Sequence, residues 1–256
     1  MGELIVKMNV GIIIIGDEIL NGYRQDTHLK KSIALLTTRG HCLVWCQIIG
    51  DMPQRIVDTL VYVEKENIPV FCFGGIGATP DDYTRECAAK AFDLPLVKHP
   101  EAVKLIEQQF GGQAYPKRIR MAELPEGAVL IPNPVNRVPG FSLGEMHFLP
   151  GFPQMAGPMM EWVLSRYPDE SGEDRIRSIL RVINGHESEF IDVMNAIMVL
   201  DTDMSISSLP VIGKEKNYID FIVSGKREIV ERAVELLLEC TKDQQAEYEF
   251  LSEYQN

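Results

Sequence analysis

The segment Gly74-Gly75-Ile76-Gly77-Ala78-Thr79-Pro80-Asp81-Asp82 decides how this chain is read. A short apolar run, Ile68 to Phe73, precedes it, and a stretch with helical spacing, Tyr83 to Phe92, follows. A strand, a glycine turn and a helix in that order bring backbone N–H groups and a helix N-terminus to one point, which favours an anion. Gly74, Gly75 and Gly77 let the backbone turn tightly and come close to a ligand. Asp81 and Asp82 look misplaced beside an anion. Capping of the following helix accounts for one of them. A divalent cation shared between carboxylate and phosphate oxygens accounts for the pair.

The same alternation continues on either side of the loop. Val10 to Ile15 is a β-branched run bounded by Gly16, the pattern of a strand buried on both faces. Asp26-Thr27 can cap a helix carrying Leu29, Ile33 and Leu36. His41 to Ile49 reads as a strand, and Pro53 suits the first turn of a helix with Ile56, Leu60 and Val63 on one side. Pro100 opens a further helix through Phe110. Strand–helix repetition at this spacing predicts βαβ units, an α/β fold and a mostly parallel sheet. Ligands of such sheets bind beyond the carboxyl ends of the strands. The turns Gly16-Asp17-Glu18 and Gly50-Asp51 fall on that same edge. Each alone is a polar turn or a helix cap; together with the glycine loop they can converge on one site.

Ala128 to Ile131 is a further strand, broken by Pro132-Asn133-Pro134; Pro139-Gly140 closes that loop. Arg137 within it reads as a surface cation on a proline-rich turn, or as a partner for phosphate. Phe141 to Leu149 predicts a hairpin turning at Gly144-Glu145, and a helix runs from Pro153 through Arg166. The polar stretch from Pro168 to Glu173 marks a boundary between a domain over residues 1–168 and a second over 173–256. The second has a β-α-β-β-α pattern: Ile176 to Ile183, Glu187 to Leu200, Ser205 to Leu209, Tyr218 to Val223 and Lys226 to Lys242. The tail after Thr241 is polar and is expected to fray.

With 45% hydrophobic and 24% charged residues, the composition is that of a globular protein and argues against disorder. A net charge of -12 argues against general binding of nucleic acid. An anionic ligand therefore needs a local positive device. The 5 cysteines fit no zinc spacing and read as reduced thiols, which makes the cytoplasm the expected compartment. The longest apolar run, Val10 to Ile15, is too short to span a membrane. The histidines form no triad-like or metal-like spacing, and most read as caps or surface groups; His28 stands apart because it follows the first acidic turn. No serine or cysteine nucleophile has a supporting constellation.

Taken in order, Gly16-Asp17-Glu18-Ile19-Leu20-Asn21-Gly22, Gly50-Asp51, the segment from Gly74 to Glu86, the loop from Asn133 to Phe141, and Leu149-Pro150-Gly151-Phe152-Pro153 resemble the molybdopterin-binding (MoaB/Mog-like) domain of the competence/damage-inducible protein CinA family. The likeness covers about residues 9–166, and Ile176 to Leu238 is similar to the small KH-like domain that follows in CinA proteins. The resemblance implies a three-layer α/β/α domain followed by a small α+β domain. It implies metal-dependent hydrolysis of a nucleotide pyrophosphate of the ADP-ribose or FAD kind. Adenylyl transfer to molybdopterin and non-catalytic binding are the alternatives. It places Asp51 and Asp82 at the metal and catalytic site, with Mg²⁺ or a transition metal as cofactor and molybdopterin as a possible ligand. Gly74, Gly75, Gly77 and Thr79 would surround the phosphates. Asp17, Glu18, Asn133, Pro139 and Gly140 would contact the ligand, and a homo-oligomer is expected.

This chain departs from the family pattern at a few positions. Ala78 stands where the commoner loop has proline. Asn136 and Val138 stand where glycine and alanine are usual, and Asp26 and His28 where asparagine is frequent. The family's C-terminal amidase domain is not matched by any segment, and the second domain lacks a Gly-x-x-Gly loop, so RNA binding is not expected from it.

Overall fold

Four consecutive isoleucines, Ile12 to Ile15, sit in the inner strand β1 (Asn9–Ile15) and are buried to within 5%. The computed structural model describes residues 8–168, 175–213 and 216–251. After β1 come α1 (Asp17–Leu20), α2 (His28–Thr38), β2 (Cys42–Ile49), α3 (Pro53–Glu64) and β3 (Val70–Phe73). Then follow α4 (Thr84–Ala91), β4 (Leu96–Lys98), α5 (Pro100–Phe110), β5 (Glu123–Pro125), β6 (Val129–Ile131), β7 (Gly140–Leu143), β8 (Met146–Leu149) and α6 (Pro153–Leu164). Two 3₁₀ turns, Gly111–Ala114 and Arg118–Ala122, lie between α5 and β5.

The main sheet has the order β2-β1-β3-β8-β7-β6. The first four strands are parallel; β7 and β6 join through antiparallel pairs. Alternate residues of β1 face opposite cores. Ile13 and Ile15 pack with Ile56, Leu60, Cys87 and Ile106 of α3, α4 and α5. Ile12 and Ile14 pack with Leu36, Met159, Met160 and Val163 of α2 and α6. The result is a three-layer α/β/α sandwich. Burying each isoleucine is worth about 1.5–3 kcal/mol, so this strand anchors both layers.

The chain divides into two compact units, Met1–Glu170 and Ser171–Asn256. Apart from Pro168, the polar stretch read as the boundary lies outside the described residues. The second unit contains β9 (Arg175–Ile183), a 3₁₀ turn (Glu187–Phe190), α7 (Ile191–Met198), β10 (Ser205–Ile212), β11 (Asn217–Lys226), α8 (Arg227–Asp243) and β12 (Glu247–Leu251). Its sheet, β10-β11-β9-β12, is antiparallel, and Leu180, Val182, Phe221 and Val223 pack on Val230, Ala233 and Leu237 of α8.

Three readings need correction. Asp17 and Glu18 begin a one-turn helix rather than a plain turn. The short β4–β5 pair was not foreseen. The tail after Thr241 does not fray throughout: Glu247-Tyr248-Glu249-Phe250-Leu251 forms a strand on β9. Its alternation of acidic and apolar residues has the period of a strand, and both Tyr248 and Phe250 stay exposed.

Candidate functional site

The parallel strands β1, β2, β3 and β8 end side by side, with Ile15 paired to Ile49 and Phe73 to Leu149. The acidic turns and the glycine loop therefore leave the sheet at one edge. Gly74 and Gly75 have φ of 106° and 69°. A side chain on Gly74 would strike the Ile15 carbonyl oxygen, and one on Gly75 the Thr84 hydroxyl. Thr84 closes the loop onto α4: its hydroxyl donates to Gly74 O at 3.0 Å and its amide to Gly75 O at 2.9 Å. Among the described residues, the amides of Gly75, Ile76, Gly77 and Ala78 meet no protein acceptor. Consecutive free amides at the mouth of a strand are the kind of group that can receive an anion.

The two acids of this loop do not cap α4, whose N-cap residue is Tyr83 without a side-chain bond. Asp82 instead turns back on its own loop. Its Oδ2 accepts from the Thr79 amide at 2.8 Å and from the Thr79 hydroxyl. Asp51 likewise does not cap α3. Its Oδ2 accepts from the Asp17 amide at 2.8 Å, and its own amide donates to Asp17 Oδ1 at 3.3 Å. This reciprocal pair ties the end of β1 to the end of β2. Burial raises the Asp51 carboxyl above its ordinary range; the Asp17 amide opposes this, and the nearby Asp17, Glu18 and Asp81 charges add to it.

A cavity of about 440 Å³ brings Gly74, Gly75, Gly77, Thr79, Asp82, Asp51, Glu18 and Asn133 together. Asp17 is bonded to Asp51 and is not part of the wall. Pro139 and Gly140 are not brought to the cavity; they are buried at the entry to β7, where a side chain on Gly140 would meet the Phe148 carbonyl. Asn133 fastens the proline-rich loop, donating to Asn136 Oδ1 at 2.7 Å and to Val138 O at 3.0 Å. Arg137 is exposed, as its turn position suggested. Phe152, within the Leu149–Pro153 motif, also lines the cavity, as do Arg24, Phe110 and Met121, which nothing local in the sequence ties to the loop.

A second cavity of about 500 Å³ shares Ile15, Glu18, Arg24, Gly151 and Phe152 with the first. His28 is buried here, not at the surface, and stacks on Phe73 with ring centroids 4.5 Å apart. Burial lowers its pKa, which the Gly151 backbone partly offsets. Asp26 spends both oxygens capping α2, on the amides of His28 at 2.9 Å and Leu29 at 3.0 Å. Lys31 completes a mixed aromatic and basic wall.

The acids of the cavity wall, Glu18, Asp51, Asp81 and Asp82, offer carboxylate oxygens, which fit a hard cation. Among the described residues no three His, Cys, Asp or Glu side chains form a metal-holding group. The fit is thus to an ion such as Mg²⁺, held by one or two carboxylates and completed by water and phosphate oxygens.

Residues 11–169 match the family described as a probable molybdopterin binding domain. The chain therefore belongs to the molybdopterin-binding domain family. Within that family it is of the CinA-like kind, as the ordered motifs implied. A CinA-like protein of Syntrophotalea carbinolica is 33% identical over 175 residues, which are 65% of this chain and 42% of that relative. This chain thus spans under half the length of that relative. A protein of Archaeoglobus fulgidus is 30% identical over 91% of this chain and 97% of its own length. The crystal structure of the protein CinA with unknown function from Thermoplasma acidophilum superposes with a TM-score of 0.57 at 27% identity, covering 62% of this chain and 97% of that one. Among the described residues no helix is long and apolar enough to cross a membrane.

Proposed function

We propose that the first unit binds the phosphates of a nucleotide pyrophosphate, of the ADP-ribose or FAD kind, with a divalent metal, and hydrolyses the anhydride bond. One observation carries this reading: the unpartnered amides of residues 75–78 line the same cavity as Asp51 and Asp82. Amides there bind phosphate oxygens, and the two acids hold the cation. The bound cation supplies neutralisation of phosphate charge. Asp82 is held by Thr79 through Oδ2 only, so its other oxygen is not committed to the turn. The adjoining cavity, with His28 stacked on Phe73, is suited to a base or sugar at the far end of the ligand.

The test is a panel of ADP-ribose, FAD and related dinucleotides against Mg²⁺, Mn²⁺ and Ni²⁺, read by product release. Turnover should require the metal and fall about a hundredfold or more in Asp82→Asn, a loss of about 3 kcal/mol in transition-state binding. An Asp82→Asn enzyme as fast as wild type sinks the assigned mechanism. A second reading, ligand capture without turnover, draws on the two-acid arrangement, since among the described residues no three His, Cys, Asp or Glu form a metal-holding group. It predicts calorimetric binding of nucleotide or molybdopterin and no product with any metal. ATP consumption only when pterin is present would point instead to adenylyl transfer.

A further inference from the structure

The cavity poses an electrostatic problem. Glu18, Asp51, Asp81 and Asp82 line it, and Arg24 is the one cation among its lining residues, with its side chain 58% exposed. Beside the loop amides, buried positive charge for an anion can come only from behind the wall. Arg85, on the first turn of α4, stands there at 2% exposure. Its Nη2 donates to the Gly77 carbonyl at 3.0 Å. Its Nη1 donates to the carbonyls of Arg120 at 2.6 Å and Glu123 at 3.1 Å. No carboxylate meets it at hydrogen-bond distance; Glu86 stays 3.9 Å away, and Nε has no partner among the described residues.

The consequence for the loop follows from peptide geometry. In a trans peptide the carbonyl and the next N–H point in opposite directions. The Gly77–Ala78 bond is not among the cis bonds. Holding the Gly77 carbonyl back on Arg85 therefore turns the Ala78 N–H the other way, and that N–H is one of the unpartnered amides of the cradle. The same guanidinium is charged at any physiological pH. Hydrogen-bonded to carbonyls, with Glu86 as a longer ion-pair partner at 3.9 Å, it keeps its charge close behind the loop, where low dielectric strengthens its field.

We propose that Arg85 is a positioning residue for the phosphate cradle. It clamps the 77–82 turn to the 118–123 segment, aims the Ala78 amide, and supplies the buried positive charge that offsets the acidic wall. The proposal rests on reading the loop as an anion site. Its first test does not use a ligand. Amide exchange at Thr79, Asp82 and Thr84, whose N–H groups bond within the loop, is followed by NMR in wild type, Arg85→Lys and Arg85→Met. Exchange should speed at least about tenfold in Arg85→Met while Ile12 to Ile14 and Phe71 to Phe73 stay as in wild type. The second readout is affinity for ADP-ribose with Mg²⁺. It should fall about tenfold or more in Arg85→Met and recover in part in Arg85→Lys, which keeps the charge. Unchanged loop exchange in both variants overturns the proposal, as does exchange that rises equally in loop and sheet. If Arg85→Met does not fold, Arg85→Lys decides by loop exchange. If wild type binds no ADP-ribose, the functional reading fails and the exchange result still decides the clamp.

Discussion

Two polar regions of the first unit look alike in composition and behave differently. At the loop edge, Asp17, Asp51, Thr79 and Asp82 bond to backbone and to one another, yet the amides of 75–78 stay free and open onto a cavity. In the β7–β8 hairpin, Ser142 lies 2.9 Å from His147 Nδ1, His147 Nε2 lies 3.0 Å from the Tyr167 hydroxyl, and Tyr167 donates to Glu145 at 2.7 Å. Tyr167 has one proton and gives it to Glu145, so Nε2 carries the histidine proton and Ser142 donates to Nδ1. The second region holds a serine–histidine contact, the first sign of a nucleophile and base. None of its four residues lines either cavity, and its polar groups satisfy one another. A site is marked by unmet hydrogen-bonding capacity facing open space, not by residue types that could do chemistry.

Opposite responses to acid would sharpen that contrast most. Burial lowers His147 from 6.5 to about 4, with Arg166 adding to the effect. Between those values the unfolded chain binds a proton that the folded chain refuses. Stability conferred by this residue is complete above pH 6.5 and is lost as pH falls towards 4, by up to about 3 kcal/mol. Asp51 works the other way: its raised carboxyl takes a proton sooner in the folded state, so acid relieves it. Urea unfolding at pH 7, 5.5 and 4.5 should show a loss in wild type that His147→Gln flattens and Asp51→Asn steepens. An unaltered slope in His147→Gln would show that the hairpin histidine is not the group that titrates.

The loop edge has no room for a single methyl. Gly75→Ala sets a side chain at φ 69° against the Thr84 hydroxyl that closes the loop. The strain should cost about 1–3 kcal/mol in a thermal melt. Moreover, ADP-ribose affinity should drop with it, since the Gly75 amide belongs to the cradle. A Gly75→Ala protein with wild-type melting would mean that the loop relaxes freely and is not a fixed cradle.

How much of this was legible depends on which interactions are local. Ile12 to Ile15, Pro53 and the glycines declare strand, helix start and turn within a few residues, and the sheet edge followed from their order. The family likeness added which acids to watch. The bonds actually made by those acids were not legible: Asp51 and Asp82 satisfy helix-cap spacing, yet one pairs across 34 residues with Asp17 and the other folds onto Thr79. Arg85 gave no signal, because its burial depends on carbonyls 35 and 38 residues away. His41 and His147, read with most histidines as caps or surface groups, are buried, as is His28, which stands apart for its place after the acidic turn; His99 does cap a helix, accepting from the Ala102 amide.

The smallest expected effect separates the two regions most directly. Tyr167→Phe deletes one hydroxyl that both accepts from His147 and donates to Glu145. Water can reach the half-buried Tyr167, so the loss should be only about 1 kcal/mol. Turnover or binding of ADP-ribose should not change, because the hydroxyl touches neither cavity. A fall in kcat without a fall in melting temperature would break the comparison. It would mean that the Ser142–His147 pair reaches the ligand through the β8 end, where Leu149 accepts from the Gly74 amide, and the hairpin would then have to be counted as part of the site.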